Sequence, residues 1–158
     1  MLSTTDTWEH KDMPEPRPST TPEVSLRMSR QRRRDTGPEI ALRRILHAHG
    51  RRFRVDSPLP DLPRRRADLL FTRPKVAVFV DGCFWHVCPE HATEPANNAT
   101  WWAKKLRCNA ERDRHTDEHL RSLGWTVVRI WEHVDPQEAA EQVELMLDTI
   151  VTDGLTKG

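Results

Sequence analysis

The sequence predicts an α/β domain in which a single mixed β-sheet is flanked by helices. Segments with the periodicity of helices and strands follow one another in the order α, β, β, β, α, β, α, and such alternation is typical of a sheet covered by helices. Residues 76–80 are continuously apolar, which indicates a central strand covered on both faces. The chain of 158 residues has the length of one domain of ordinary size.

Both ends of the chain are expected to lie outside the folded domain. Residues 1–22 contain four prolines and few large apolar groups, so they cannot bury enough surface to offset the entropy of ordering. We expect a disordered tail over residues 1–22, a domain over residues 23–152 and a flexible C-terminus over residues 153–158. The longest apolar run has five residues, whereas a membrane helix needs about 20. The N-terminus also lacks the pattern of a secretory signal, so a cytoplasmic protein is expected.

The first helix is predicted from a capping pattern. Thr36 suits the N-cap, Pro38 suits the first turn, and Glu39 lies three residues after the cap, as in a capping box. The helix is expected to end at Gly50. A short strand at residues 53–55 follows.

Residues 67–71 and 76–80 are predicted to pair as a β-hairpin. A proline-rich connection at residues 58–63 precedes them, and the tetrapeptide Thr-Arg-Pro-Lys at residues 72–75 has the composition of a turn.

The C-terminal half is predicted to contain a helix, a strand and a helix. The first helix extends from about residue 100 to 122, and a buried strand follows at residues 125–131 with Trp125 and Trp131 in the core. An amphipathic helix over residues 136–150 ends the domain. Its inward positions are Ala139, Val143, Leu147 and Ile150.

The formal net charge of +1 conceals a strongly uneven distribution. Residues 27–73 carry 14 basic and five acidic side chains, whereas residues 134–158 carry one basic and six acidic ones. A basic block in a neutral chain indicates a face for nucleic acid or another anionic surface. Two arginine runs in this block are candidate phosphate contacts, although each alone is more often a solvated charge run. They comprise Arg32, Arg33, Arg34, Arg64, Arg65 and Arg66.

A Cys and His pattern in the middle of the chain predicts a zinc site. Cys83, Cys88 and His91 have the spacing C-x4-C-x2-H, and His133 follows the later strand. Two thiolates and two imidazoles suit tetrahedral zinc, and four protein ligands indicate a structural site. The alternative is that the cysteines are ordinary buried thiols and the histidines ordinary surface imidazoles. Cys108, in the middle of a predicted helix, is assigned to packing.

Two aspartates in the predicted hairpin are candidate ligands for Mg²⁺. Asp68 lies near the start of one strand and Asp81 directly follows the other, so pairing would bring both carboxylates to one edge of the sheet. Glu39 is a candidate third carboxylate. Glu39 also fits a purely capping role, Asp81 a purely turn-forming role, and Asp68 a solvated face.

His86 lies between the acidic site and the zinc cysteines. It is a candidate for proton transfer to or from the groups that react. A further zinc ligand or a loop-stabilising hydrogen bond explains it equally well.

Aromatic side chains lie in or beside the polar loop of the candidate metal site. Phe84, Trp85 and Trp102 are assigned to the ligand face, because aromatics on loops commonly stack on bases or wedge between base steps. Asn109 is a candidate contact to the DNA backbone, although a plain surface position fits it as well.

Several strings of residues resemble motifs of the very short patch repair (Vsr) endonucleases. They are Arg-Asp-Thr-Gly-Pro-Glu (34–39), Ala-Asp (67–68), Val-Asp-Gly-Cys-Phe-Trp-His (80–86), Asn-Ala-Glu-Arg-Asp (109–113) and the segment 124–133. The resemblance implies a restriction-endonuclease-like fold, a structural zinc and a Mg²⁺-dependent nick 5′ to the T of a T·G mismatch left by deamination of 5-methylcytosine. It covers residues 24–150.

The resemblance also implies roles for individual residues. Asp68 corresponds to the catalytic metal-binding aspartate, His86 to the catalytic histidine and Glu39 to an accessory acid. The aromatic residues that intercalate beside the mismatch are implied to be Phe84, Trp85 and Trp102.

The chain departs from the family pattern in three places. Well-known members have a histidine where this chain has Asp81, and a final zinc-binding cysteine where it has His133. The superfamily's usual lysine is replaced by Cys83. Asp81 is therefore expected to bind Mg²⁺ directly, and His86 to transfer the proton.

The sequence leads to the hypothesis of a monomeric, Mg²⁺-dependent, zinc-stabilised enzyme that nicks mismatched duplex DNA. Mismatch-repair factors are candidate partners, and no membrane partner is expected. Two alternatives remain open: a restriction-type endonuclease that cuts both strands, and a zinc-dependent DNA-binding module without catalysis.

Overall fold

The computed structural model describes residues 35–91, 95 and 97–156. For residues 154–156 it describes the backbone alone. The predicted tail over residues 1–22 and the run Arg32, Arg33 and Arg34 lie outside the described residues. Within them, four strands form one sheet in the order β1-β2-β3-β4. The strands are β1 (Arg54–Leu59), β2 (Leu62–Phe71), β3 (Val76–Asp81) and β4 (Thr126–Trp131).

The sheet is mixed, as predicted. β1 pairs antiparallel with β2, and β2 pairs antiparallel with β3, so the predicted hairpin is confirmed. β4 lies parallel to β3 in a register that pairs Asp81 with Trp131. A parallel pair needs a crossover connection, which helix α2 supplies between the two strands.

Helices cover both faces of the sheet. They are α1 (Gly37–Ala48), α2 (Ala99–Ser122) and α3 (Pro136–Thr156). One face packs its apolar side chains against Leu42 and Leu46 of α1 and Val143 and Leu147 of α3. The other face packs against Leu120 of α2. None of the helices in the described part of the chain combines the length and apolarity that a membrane span requires.

The prediction of a loose proline-rich connection at residues 58–63 was wrong. β1 continues through Pro58 to Leu59, and β2 begins at Leu62 after a tight turn at Asp61, whose φ is +58°. A proline is tolerated here because β1 is an edge strand and its register shifts between Pro58 and Leu59.

The second strand is consequently longer than predicted and carries the arginine run within it. Arg64, Arg65 and Arg66 belong to β2 rather than to a loop.

Two further expectations differ from the structure. β4 is not a fully buried strand, because it lies at the edge of the sheet and only Ile130 is buried among its residues. Trp125 packs beside the α2-side core but is only partly buried, as is Trp131. Helix α3 ends at Thr156 rather than near residue 150, and its predicted inward residue Val143 is fully buried.

Candidate active site and metal centre

The candidate active site lies where β2 and β3 separate. Their ladder ends at the pair Leu69 and Val78. Beyond it, the backbone N–H of Val80 donates to Oδ2 of Asp68 at 2.7 Å instead of to a strand partner. The carboxylate of Asp68 is thus held at the point of divergence, and Asp81 is the last residue of β3.

The charges at this point repel one another. Burial raises the pKa of Asp68 to about 6, and the negative charges of Glu39 and Asp81 raise it further against the opposing effects of the Val80 N–H and Arg43. The charges of Glu39 and Asp81 therefore act on the buried carboxylate of Asp68. Carboxylate oxygens are the donors that suit a hard cation such as Mg²⁺. A Mg²⁺ site formed by these acids stays a prediction.

Glu39 is buried, with 4% of its surface exposed, and it both supports the helix terminus and contributes charge to the site. Its carboxylate accepts hydrogen bonds from the hydroxyl of Thr36 at 2.9 Å and the backbone N–H of Asp35 at 3.0 Å. Arg43 donates to it at 3.1 Å from the next turn of α1. The predicted capping box differs in detail, because the Thr36 hydroxyl bonds to the carboxylate and not to a backbone N–H of the helix.

His86 is hydrogen-bonded to an acid that the sequence did not single out for this role. Its Nδ1 lies 2.5 Å from Oδ2 of Asp113 on α2 and 3.8 Å from Oδ1 of Asp81. Burial lowers the pKa of an imidazole, but the bond with Asp113 and the charge of Asp81 outweigh burial, so the pKa of His86 is raised. Asp113 is the last residue of the family-like motif at residues 109–113. The helical pattern of the sequence, however, did not distinguish this aspartate from the acidic residues on the surface of the same helix.

Arg129 is the second residue that sequence reasoning missed. Its Nη1 donates to both carboxylate oxygens of Asp81, at 2.8 and 3.0 Å. Its Nε and Nη2 donate to Asp117 on α2 at 2.8 to 3.1 Å. A charged side chain inside the predicted buried strand was the available signal, because such a charge must be compensated.

The four predicted zinc ligands lie together. Their ligand atoms all fall within 4.8 Å of one another. Nδ1 of His133 lies 3.2 Å from Sγ of Cys83 and 3.7 Å from Sγ of Cys88, and Nδ1 of His91 lies 3.8 Å from Sγ of Cys88. Sulfur and nitrogen ligands of tetrahedral zinc lie about 3.6 Å apart. The donor set and its spacing therefore fit zinc.

The loop that carries the cysteines is tied to the ends of β3 and β4. The N–H of Cys83 donates to Oε1 of Glu132 at 2.7 Å, and the N–H of Cys88 donates to the carbonyl of Cys83 at 2.9 Å. Burial raises the pKa of the Cys83 thiol to about 11. A bound cation would reverse this effect, because zinc binds the thiolate.

The predicted DNA-facing aromatics form one edge-to-face cluster, in which Trp102 is the innermost ring. The ring centroids of Phe84, Trp85 and Trp101 lie 5.2, 5.8 and 4.9 Å from that of Trp102. Trp102 is only 5% exposed, whereas the three rings around it are partly exposed. The solvent-exposed surface of this cluster thus consists of Phe84, Trp85 and Trp101. Asn109 is buried beside it and donates to the carbonyl of Trp85 at 3.3 Å.

The described arginine run divides between surface and interior. Arg64 and Arg66 are exposed, and Arg66 is paired with Asp56 at 2.9 Å. Arg65 is buried and donates to Thr116 of α2 at 2.7 Å. The side chain of Arg65 therefore joins the sheet to α2 instead of facing a phosphate.

Comparison with known proteins agrees with this geometry. The family model described as DNA mismatch endonuclease Vsr matches residues 19–91. The type II nicking enzyme V.NaeI of Lentzea aerocolonigenes is 46% identical over 128 residues, which cover 80% of this chain and 75% of that protein. V.XorIIP of Xanthomonas oryzae, also a type II nicking enzyme, is 34% identical over 110 residues, or 66% and 76% of the two chains.

A third relative carries the family's own name. The DNA mismatch endonuclease Vsr of Escherichia coli is 37% identical over 101 residues, which cover 63% of this chain and 62% of that protein. The matched segment of the family model contains the predicted site residues Glu39, Asp68, Asp81 and His86. The resemblance inferred from the residues is thereby confirmed, and the chain belongs to the Vsr endonuclease family.

Proposed function

We propose that this protein nicks one strand of duplex DNA on the 5′ side of the T in a T·G mismatch, and so begins very short patch repair. The observation that carries the proposal is the buried carboxylate of Asp68 between two separating strands, on which the charges of Glu39 and Asp81 act, with His86 3.8 Å from Asp81. Two rings of a partly exposed aromatic cluster lie on the same loop as His86. Family membership supports it, because the matching family is described as a mismatch endonuclease. The relatives named nicking enzymes favour a single-strand cut.

Asp68 and Asp81 are the proposed ligands of a catalytic Mg²⁺, with Glu39 as an accessory acid. When bound, Mg²⁺ supplies positive charge that stabilises the phosphoryl group in the transition state. The residues suit such an ion, because burial raises the pKa of Asp68 and the charges of Glu39 and Asp81 raise it further, so that a cation would stabilise the ionised carboxylate.

His86 is the proposed proton-transfer residue. Its Nδ1 faces Asp113, so Nε2 is the ring nitrogen left for the DNA. The raised pKa favours the protonated ring, which can donate a proton to the leaving oxygen of the scissile phosphodiester. Asp113 fixes the orientation of the ring.

Recognition of the mismatch is assigned to the aromatic cluster and the exposed arginines. Phe84 and Trp85 present partly exposed rings from the metal-centre loop. Rings of this kind insert between base steps that stack weakly, and a mismatch lowers the energy needed to open the stack. Arg64 and Arg66 supply positive charge for the DNA backbone.

The zinc site is proposed to be structural. Cys83, Cys88, His91 and His133 would fill all four positions of a tetrahedral ion, which leaves none open for substrate. The ion would brace the loop that presents the aromatics and His86.

The test uses duplexes in which a T·G pair is flanked by randomised sequence, together with matched duplexes from the same pool. Wild type with Mg²⁺ should nick only the strand that contains the mismatched T, and EDTA should abolish the product. Asp68→Asn should bind DNA without nicking it, whereas Asp61→Asn, a change at the exposed turn between β1 and β2, should nick normally.

Each contrary outcome identifies an alternative. Equal nicking of matched duplexes would refute mismatch specificity, and cleavage of both strands would favour a restriction-type enzyme. Binding without cleavage in either Mg²⁺ or Mn²⁺ would favour a DNA-binding module.

A further inference from the structure

We propose that Arg129 is a positioning residue of the nicking reaction. It holds Asp81 at the end of β3 and ties to that point the segment of α2 that orients His86. The inference rests on the proposed function and adds a residue to it. Arg129 is not expected to contact the DNA or the cation.

The contacts of the guanidinium carry the argument. Nη1 donates to both oxygens of Asp81, while Nε and Nη2 donate to the carboxylate of Asp117. Nη2 also lies 3.5 Å from the carbonyl oxygen of Asp113. One side chain of β4 therefore connects the end of β3 with one turn of α2.

The turn of α2 that Arg129 contacts also holds His86 in place. Asp113 and Asp117 are four residues apart, so they lie on the same face of the helix. Asp113 bonds to His86 at 2.5 Å. A displacement of this turn would move the imidazole relative to the Asp68 site, and a misplacement of about 1 Å at an active site can reduce the rate by about 100-fold.

An arginine is needed for this geometry. The planar guanidinium presents its donors as a rigid fork that can pair with a carboxylate on each of two edges, whereas the ammonium of a lysine is a compact point charge without this geometry. The guanidinium also lies over the ring of Phe79, with Cζ 4.6 Å from the centroid, so its plane is held from one side. The guanidinium thus holds the carboxylates of Asp81 and Asp117 in both position and orientation.

The charge balance leads to the same conclusion. Asp81, Asp113 and Asp117 would repel one another across a short distance, and Asp81 is only 6% exposed. Arg129 lies within 4 Å of all three carboxylates. Without it, the acids would move apart or take up protons, and the site would lose its shape.

A matched control variant distinguishes a positioning role of Arg129 from a merely structural one. Arg51 makes a similar fork, with Nε 3.1 Å from Glu144 and Nη2 2.9 Å from Asp148. Its side chain is 30% exposed, compared with 23% for Arg129. It joins the end of α1 to α3, away from the candidate active site. Arg51→Met should therefore lower the melting temperature without changing kcat.

The experiment compares Arg129→Lys, Arg129→Met and Arg51→Met by steady-state nicking of the T·G duplex and by thermal unfolding. Arg129→Met should lower kcat by about 100-fold and change KM by less than about threefold. Arg129→Lys should recover most of the melting temperature but little of kcat. Loss of kcat in proportion to the loss of melting temperature in all three variants, or a wild-type kcat in Arg129→Lys, would overturn the inference.

A second measurement does not depend on cleavage. The Nδ1 proton of His86 in the DNA-free protein should give a hydrogen-bonded NMR signal that His86→Gln removes. This signal should be lost or shifted in Arg129→Lys and unchanged in Arg51→Met; an unchanged signal in Arg129→Lys would count against positioning. If wild type nicks no duplex, the proposed function fails, and the NMR comparison still decides whether Arg129 positions His86.

Discussion

At the residue scale, Asp68 is a buried carboxylate whose ionised form is costly. The carboxylate occupies the gap between two separating strands, accepts one backbone N–H and is affected by the charges of Glu39 and Asp81. Burial raises its pKa from 3.8 to about 6. The ionised form is thus disfavoured, and the proposed Mg²⁺ would compensate its charge.

Asp68→Asn should stabilise the metal-free protein at neutral pH. Because the pKa of Asp68 is higher in the folded state, the folded protein binds more protons than the unfolded chain between pH 3.8 and about 6. Wild-type stability therefore falls as pH rises through that window. Asparagine can still accept the Val80 N–H, so the variant should gain about 1–3 kcal/mol above pH 6 and nothing below about pH 4. Chemical unfolding with a chelator present measures this difference, and equal stabilities at pH 7.5 would contradict it.

Asp113→Asn should shift the pH dependence of nicking. The hydrogen bond and charge of Asp113 raise the pKa of His86, while burial lowers it. Removing the charge should therefore lower the pKa of His86. If the protonated ring is the active form, the alkaline limb of the kcat profile should move to lower pH. An exposed-site control, Glu118→Gln on the same helix, should leave the limb in place.

At the element scale, the loop between β3 and α2 is proposed to owe part of its stability to the candidate zinc site. Cys88 is 1% exposed. The proposed ligands come from that loop and from His133 after β4. A bound ion would therefore cross-link the loop to the end of β4.

Cys88→Ser should lose bound zinc and lower the melting temperature by several degrees, because the loop then lacks its cross-link. Metal analysis of the purified protein and thermal unfolding with and without a chelator provide the measurement. Cys108→Ser, at a buried helical cysteine outside the cluster, should keep a full complement of zinc. No change in melting temperature when wild type is chelated would contradict a structural metal.

At the scale of the whole molecule, the basic block of the sequence becomes a row of charges that leads to the active site. Arg64, Arg66 and Asp68 occupy alternate positions of β2 and therefore face the same side. Arg65 and Ala67, the residues between them, face α2, so this row lies on the face of the sheet that α1 and α3 cover. The row places positive charge beside Asp68, where the proposed scissile phosphate would lie.

Arg64→Ala should weaken binding to duplexes of any sequence and reduce the salt dependence of binding. Each phosphate contact contributes about 0.9 to the slope of log K against log salt concentration, so the slope should fall by about one. Binding titrations at several salt concentrations, with Ca²⁺ in place of Mg²⁺, measure it. Arg73→Ala, in the turn at the far end of the β2–β3 hairpin, should leave the slope unchanged.

The sequence alone determined the order of elements and the hairpin, and it predicted the four Cys and His side chains that lie together, because each depends on local periodicity or on residue types that permit little else. The structure alone decided that the 58–63 segment forms strand ends, that Arg65 faces inward and that Trp102 lies beneath the other aromatic rings. It also revealed Asp113 and Arg129. These features depend on which distant side chains meet after folding, and contacts between α2, β3 and β4 leave no periodic signal in the chain.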